Sequence, residues 1–283
     1  MSGKTRDSAI KARIGMVNYI NTAPIHEIWK EKIDNPDWQL VEAYPAALNQ
    51  KLFNGSIDLG FVSSIEYAER SHLYKVISDL SISANGPVGS VFLFSQIPIE
   101  QLDKCTVLLS AESKTSSYLV KVILERFCGI APLYQSEALA SVQFDDYPAV
   151  MAIGDDALRI KHTGKFPYCL DLGERWQQET GLPFVFALCV VREDYLNDHL
   201  AQVKAIREAL INCRDSGMNQ LCKICEKVAP KIPMSINGCI AYLHAIEYDL
   251  DHRKIKALEL FFTYLQELGM VGAKALPLRF FKP

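Results

Sequence analysis

Between residues 13 and 62 the chain changes periodicity four times, and that alternation limits its fold more than any other feature. Residues 13–18 (R-I-G-M-V-N), 38–43 and 57–62 (I-D-L-G-F-V) read as short apolar strands, whereas 25–32 and 45–53 carry apolar residues at helical spacing. Pro45 suits a first helical turn, and Asn54 with Gly55 closes the same helix. A βαβαβ run completed in about fifty residues predicts a largely parallel sheet covered by helices, with right-handed connections.

A second alternation begins at a strand over 106–109. It continues through a polar loop, a helix over 118–128, a strand near 133–134, a short helix near 137–141 and a strand over 149–153 that runs into Gly154, Asp155 and Asp156. Residues 183–191 return as one apolar strand, and the chain beyond Asp194 reads as helical, with helices over 196–213, 217–229 and 258–268. At 283 residues the chain is long enough for two lobes of ordinary size. The expected architecture is α/β, a two-lobed periplasmic-binding-protein-like (type 2) fold with a ligand cleft between the lobes. Residues 12–95 and 191–283 form the first lobe and 96–190 an inserted second one. The rival is a single α/β domain with a long helical extension.

Composition removes several function classes. Hydrophobic residues are 49% and charged residues 22% of the chain, the net charge is -3, and the basic residues are dispersed, so no nucleic-acid surface is expected. The opening residues 1–12 are polar, and the apolar stretch near 184–191 is too short to span a bilayer. No leader and no membrane partner are expected, and the expected location is cytoplasmic. Eight cysteines then imply thiols rather than disulfides. Cys222 and Cys225 have a C-x-x-C spacing, but they fall in a helical stretch without a knuckle turn and read as small hydrophobes. No metal site is expected. The chain has no G-x-G-x-x-G, no P-loop, no H-E-x-x-H and no G-x-S-x-G, which leaves no case for a nucleotide cofactor, a zinc protease or an acyl-serine hydrolase. His26, closest to the first loop, reads as a surface or capping residue, and Tyr242, Tyr248, Phe261, Phe262 and Tyr264 read as packing in the tail.

Four polar clusters stand at strand ends or helix starts: Asn18 with Asn21 and Thr22, Ser63 with Ser64, residues 85–90, and residues 110–117. Free helix-start N–H groups and short hydroxyls suit a carboxylate, and Ser113, Thr115 and Ser116 form the clearest such group. The same residues also serve as ordinary helix caps. Asn21 offers a neutral amide that orients a hydroxyl or carboxylate, or else closes an Asx-turn. Asp155 either faces the cleft or accepts helix-start N–H bonds.

Read together, V-N-Y-I-N-T-A-P-I at 17–25, G-S-I-D-L-G-F-V-S-S-I-E-Y at 55–67, G-P-V-G-S-V-F-L-F-S at 86–95, S-K-T-S-S at 113–117 and A-I-G-D-D-A-L at 152–158 resemble the chorismate dehydratase family of the futalosine route to menaquinone. The resemblance runs from residue 13 to about 270. It departs at Ser63, where many relatives have proline, and it is weaker over 240–250. It implies a two-lobed enzyme that works without metal or organic cofactor and removes water from chorismate to give 3-[(1-carboxyvinyl)oxy]benzoate. It places the catalytic roles on Asn21 and Ser90, with Asn18, Thr22, Ser64, Ser113, Thr115, Ser116 and Asp155 expected around a small dicarboxylate substrate. In this reading Asn21 orients the leaving hydroxyl, Ser113, Thr115 and Ser116 anchor one carboxylate, and Ser90 holds the second carboxylate or the ether. No protein base stands out; the identity of the proton acceptor is left open, the substrate's own enolpyruvyl carboxylate being one candidate. The alternatives are dihydroxynaphthoate synthase of the same pathway, whose glycine-, proline- and asparagine-rich opening is missing here, and a cytoplasmic carboxylate-binding protein. The oligomer is left as monomer or homodimer.

Overall fold

The computed structural model describes residues 10–281 and contains two sheets. The first sheet is built from β1 (Ala12–Met16), β2 (Trp38–Glu42), β3 (Leu59–Ser63) and β4 (Tyr74–Ala84), and the second from β5 (Val91–Ser95), β6 (Thr106–Ser110), β7 (Leu133–Glu137), β8 (Ala149–Ile153) and β9 (Tyr168–Asp171). The chain then returns to the first sheet as β10 (Phe184–Arg192), joined there by the two-residue strands β11 (Ile246–Glu247) and β12 (Phe280–Phe281). The strand orders are β11-β4-β10-β3-β1-β2, with β12 beside β4, and β7-β6-β8-β5-β9.

The sequence reading of a largely parallel sheet holds for half of each. β1 pairs parallel with β2 and β3, and β6 pairs parallel with β7 and β8, as the βαβ runs require. β10, however, inserts antiparallel between β3 and β4, and β5 runs antiparallel to both β8 and β9. The antiparallel strands are the ones that carry the chain into a sheet from the other side.

Strand pairing also shifts the boundaries of the expected lobes. Residues 91–95 were assigned to the first lobe, yet as β5 they occupy the second sheet; residues 184–190 were assigned to the second lobe, yet they begin β10 in the first. The crossings therefore fall near 85–90 and 172–183. The turn over 85–90 that holds Gly86 and Pro87 separates β4 from β5, and the two strands differ in partner rather than in composition.

Beyond Asp194 the helices are Leu200–Met218, Leu221–Val228, Ile236–Ala245 and His252–Glu267. The helix Leu200–Met218 packs on the helix Ala23–Lys32 and on β4, and His252–Glu267 packs on β10 with Phe261, Phe262 and Leu265 buried. In the middle of the first sheet β1 and β3 approach so closely that a Cβ on Gly60, at φ +149°, would lie 2.1 Å from the Gly15 carbonyl oxygen. Only glycine fits there.

The second crossing is fastened by Trp176, in the helix Leu172–Thr180. Its ring is fully buried edge-on to Phe184 and Phe261, at centroid distances of 5.2 and 5.7 Å, and its indole N–H donates to the Pro183 carbonyl at 3.1 Å. One side chain thus ties the last helix of the second unit to the return strand and to the tail. Trp176→Ala is expected to lower folding stability by about 3–5 kcal/mol in urea titration; a loss under about 1 kcal/mol would show that the crossing is held elsewhere.

Candidate active site

Four parallel strands aim their carboxyl ends at one place. β1 ends into residues 17–22, β3 into Ser63, β6 into residues 111–113 and β8 into Gly154, and ligands of α/β sheets bind at such ends. Between the two sheets these segments border about 690 Å³ of empty space, the open mouth included, at the strand ends where such folds place their ligands. Val17, Phe61, Val62, Ile82, Val88, Val91, Ile153 and Phe186 form apolar walls. The polar lining is Tyr19, Asn21, Thr22, Ser63, Ser90, Ser113 and Ser116, without one charged side chain.

Asn21 stands in the short 3-10 turn Ile20–Thr22 that leads into the helix Ala23–Lys32. Its side-chain oxygen is buried and has no hydrogen-bond partner, an expensive condition unless a ligand supplies a donor. No Asx-turn satisfies it. Its backbone carbonyl accepts the Tyr248 hydroxyl at 2.9 Å, so a tail residue read as packing fixes the loop.

Ser90 is 1% exposed, at the start of β5. The preceding N–H groups of Val88 and Gly89 donate to the Asp171 carboxylate at 3.0 and 2.7 Å, and the Ser90 carbonyl accepts the Gly154 N–H at 2.7 Å. Asp171 also caps the helix Leu172–Thr180 through the N–H groups of Gly173 and Glu174. The Ser90 hydroxyl accepts from Tyr242 at 2.8 Å. Gly154 has φ +56° and lies against the Tyr19 ring, where a Cβ would come within 3.3 Å.

Ser113 is the N-cap of the helix Lys114–Lys121 and accepts the Ser116 N–H at 3.3 Å, while its own hydroxyl donates to the Ser116 hydroxyl at 2.9 Å. Ser116, whose hydroxyl accepts this bond, also lines the cavity. Beside it are the first-turn N–H groups of the helix, which have no carbonyl partner within it. Ser113 therefore serves as a cap, and both it and Ser116 line the cavity.

Other expected residues are placed differently. Ser64 turns away from the cavity and donates to the Val185 carbonyl at 2.6 Å; Ser63, its neighbour, lines the cavity and takes hydrogen bonds from Asn49 and from the Glu66 N–H. A one-residue error in facing follows from the strand passing directly into a helix at this point. Thr115 also misses the cavity: its hydroxyl accepts the Ile65 N–H at 3.2 Å and links the two units. Thr22 lines the cavity, but its hydroxyl is used by the carbonyls of Val17 and Tyr19. Asn18 and Asp155 line a separate, smaller cavity of about 320 Å³ behind Tyr19, together with His26, Glu27 and Lys231. His26 is buried rather than at the surface, between Glu27 and Glu42.

Sequence reasoning missed Tyr19, Glu112, Asp171 and the hydroxyl roles of Tyr242 and Tyr248. The Tyr19 hydroxyl donates to Glu112 at 3.0 Å across the mouth between the two units. An aspartate directly before an apolar helix start was the available signal for Asp171; the tyrosines of the tail carried none, since helical spacing reports a face and not what the hydroxyl touches.

The fold and site define a two-lobed binding-protein-like protein that has an uncharged, apolar-walled cavity furnished with hydroxyls, an amide and helix-start N–H groups. The same fold is found at a TM-score of 0.70 and 15% identity in protein AF1704 from Archaeoglobus fulgidus, over 92% of this chain and 98% of that one. It recurs at 0.68 and 16% in the alkanesulfonate-binding protein SsuA from Xanthomonas axonopodis pv. citri, over 93% and 94%. A menaquinone biosynthesis family model matches residues 12–267. The chain belongs to this family, the chorismate-dehydratase-like proteins of the futalosine menaquinone pathway. It is 28% identical to the chorismate dehydratase of Thermus thermophilus over 253 residues, covering 84% of this chain and 89% of that protein. It is 33% identical to the chorismate dehydratase of Campylobacter jejuni over 178 residues, 61% and 64% of the two chains.

Asp155 supplies a pH test of the site's surroundings. Burial lifts its carboxyl above the ordinary value of 3.8, against the pull of Arg159, and one of its oxygens is buried without a partner. Because the folded chain holds this proton to higher pH than the unfolded one, the contribution to stability is complete below the ordinary value and is lost as pH rises through the raised one. Asp155→Asn is expected to flatten that part of the stability curve, followed as urea midpoints from the ordinary carboxylate value upward. Identical slopes in the two proteins would contradict this burial effect.

Proposed function

We propose that the protein is a hydro-lyase that converts chorismate to 3-[(1-carboxyvinyl)oxy]benzoate and water. The observation that carries the proposal is the unpartnered, buried Asn21 oxygen in an uncharged cavity whose other polar groups are hydroxyls, inside a chain of this family. The curated relatives bear the name of that activity.

The apolar walls suit the six-membered ring, and the Ser113 and Ser116 hydroxyls with the adjoining helix-start N–H groups suit its carboxylate without a full positive charge. Excluding water from such a cavity strengthens each of these hydrogen bonds. The Asn21 oxygen accepts from the ring hydroxyl and fixes the direction in which it leaves. Ser90, on the opposite unit, faces the ether side.

In the reaction the proton on the ring carbon bearing the ether is removed. Its bonding pair becomes the new ring double bond, and the neighbouring carbon–oxygen bond breaks. The hydroxide departs with a proton as water. The ring becomes aromatic, which supplies the driving force, so orientation and stabilisation of developing charge are what the protein contributes. Among the described residues no carboxylate lines the cavity; Asp155 lines the smaller cavity behind Tyr19, and Glu112 accepts the Tyr19 hydroxyl. This supports the substrate's own enolpyruvyl carboxylate as the proton acceptor.

Purified protein incubated with chorismate is expected to yield a product lighter by one water, with the ultraviolet spectrum of a substituted benzoate. Tight binding without turnover would instead make this a carboxylate-binding protein. Asn21→Ala is expected to lower kcat about a hundredfold, the effect of losing roughly 3 kcal/mol of transition-state stabilisation. A folded Asn21→Ala protein within a fewfold of wild type would remove this residue from the chemistry.

A further inference from the structure

We propose that Tyr242 is a positioning residue for the dehydration: its hydroxyl occupies the acceptor side of Ser90 and so commits the Ser90 proton to the substrate. The inference rests on the proposed chorismate reaction and adds to it the direction of one hydrogen bond.

The main chain at Ser90 has little freedom. Asp171 holds the two N–H groups before it and Gly154 holds its carbonyl, so the hydroxyl rotor is the remaining variable. An unconstrained serine hydroxyl points its proton at whichever acceptor is nearest. Here the Tyr242 hydroxyl, 2.8 Å away, is the donor and Ser90 the acceptor. With its acceptor side filled, Ser90 retains its own proton, and the cavity it lines is where that proton points.

Three features keep Tyr242 in that role. It belongs to the helix Ile236–Ala245, 8% exposed, with its ring over the backbone of Gly89, where a Cβ would lie 3.3 Å from a ring carbon. A side chain at residue 89 would push the ring off Ser90. Burial raises the phenol well above its ordinary value, against the lowering effect of its hydrogen bond with Ser90, so the hydroxyl keeps its proton throughout the neutral range. Finally, Tyr242 and Tyr248 act in parallel from adjoining parts of the tail, one on the Ser90 hydroxyl and the other on the Asn21 carbonyl. The tail, from the helix of Tyr242 and the loop of Tyr248, thereby contacts both residues that the proposed reaction uses, although none of its described residues lines the cavity.

The test is a kinetic cycle with chorismate on wild type, Tyr242→Phe, Ser90→Ala and the double variant, each checked by its melting curve. Tyr242→Phe keeps the ring and removes only the hydroxyl. It is expected to reduce kcat on the order of tenfold with KM within about twofold, the pattern of an interaction that matters mainly in the transition state. In the Ser90→Ala background the same change is expected to cost less than twofold, because Tyr242 acts through Ser90. Should Tyr242→Phe fail to fold, Tyr242→Leu is used and, because it also removes the ring, only its coupling to Ser90→Ala is read: losses that multiply overturn the role, and losses that do not multiply support it. Unchanged kcat, a rise in KM alone, or losses that multiply in the double variant would overturn the role of Tyr242. Wild type that leaves chorismate untouched would overturn the proposed reaction itself and this inference with it, which separates the two failures.

Discussion

The antiparallel seat of β10 between β3 and β4 is the constraint on which the rest of the structure depends. It returns the chain to the first sheet after the second has been built, and it places Ala187 opposite Ser63 and Phe184 opposite Ala84, at the rim of the cavity. Phe186 and Ala187 consequently become cavity wall, and the helices that follow are delivered to the face from which Tyr242 and Tyr248 reach inward. Had the strand joined the edge beside β2, the tail would pack far from Asn21 and Ser90. The close approach of Gly15 and Gly60 serves the same end, since it brings the carboxyl ends of β1 and β3 together where both enter the site.

Under the proposed reaction the site takes an anionic substrate with no charged side chain lining it among the described residues. Lysine or arginine in so enclosed a space would itself need a partner, and neutral donors avoid that desolvation cost. Hydrogen-bond direction then carries the information that charge would otherwise supply. Ser113 donates to Ser116, and Tyr242 donates to Ser90. Asn21, another lining residue, keeps a buried side-chain oxygen without a hydrogen-bond partner. Donors at two ends and an acceptor at the loop make a pattern that suits a ring with carboxylates and one leaving hydroxyl.

The two-lobed α/β plan was legible because periodicity repeats: βαβ runs over 13–62 and again after 106 leave few other folds. What periodicity could not locate was the crossing, since the strands Tyr74–Ala84 and Val91–Ser95 differ in partner and not in composition. Within the site, Asn21, Ser90, Ser113 and Ser116 were legible from polar residues interrupting strand ends and from the family motifs that contain them. Ser64 and Thr115 were misplaced because each adjoins a residue that does face the cavity, and a change from strand to helix rotates the side chains by an amount the sequence does not display. Tyr242 shows the deeper limit. Its spacing correctly identifies a buried face, and its hydroxyl partner lies 152 positions away in the chain.

A crystal structure of the protein soaked with 3-[(1-carboxyvinyl)oxy]benzoate tests the central claim, that chemistry occurs between the two sheets. The account predicts the aromatic ring between Phe61, Val91 and Phe186, its carboxylate on Ser113 and Ser116, and the ether side toward Ser90, with a water at Asn21 in the position of the departed hydroxyl. Product bound outside this cavity, or bound within it with the carboxylate directed away from Ser113 and Ser116, would contradict it.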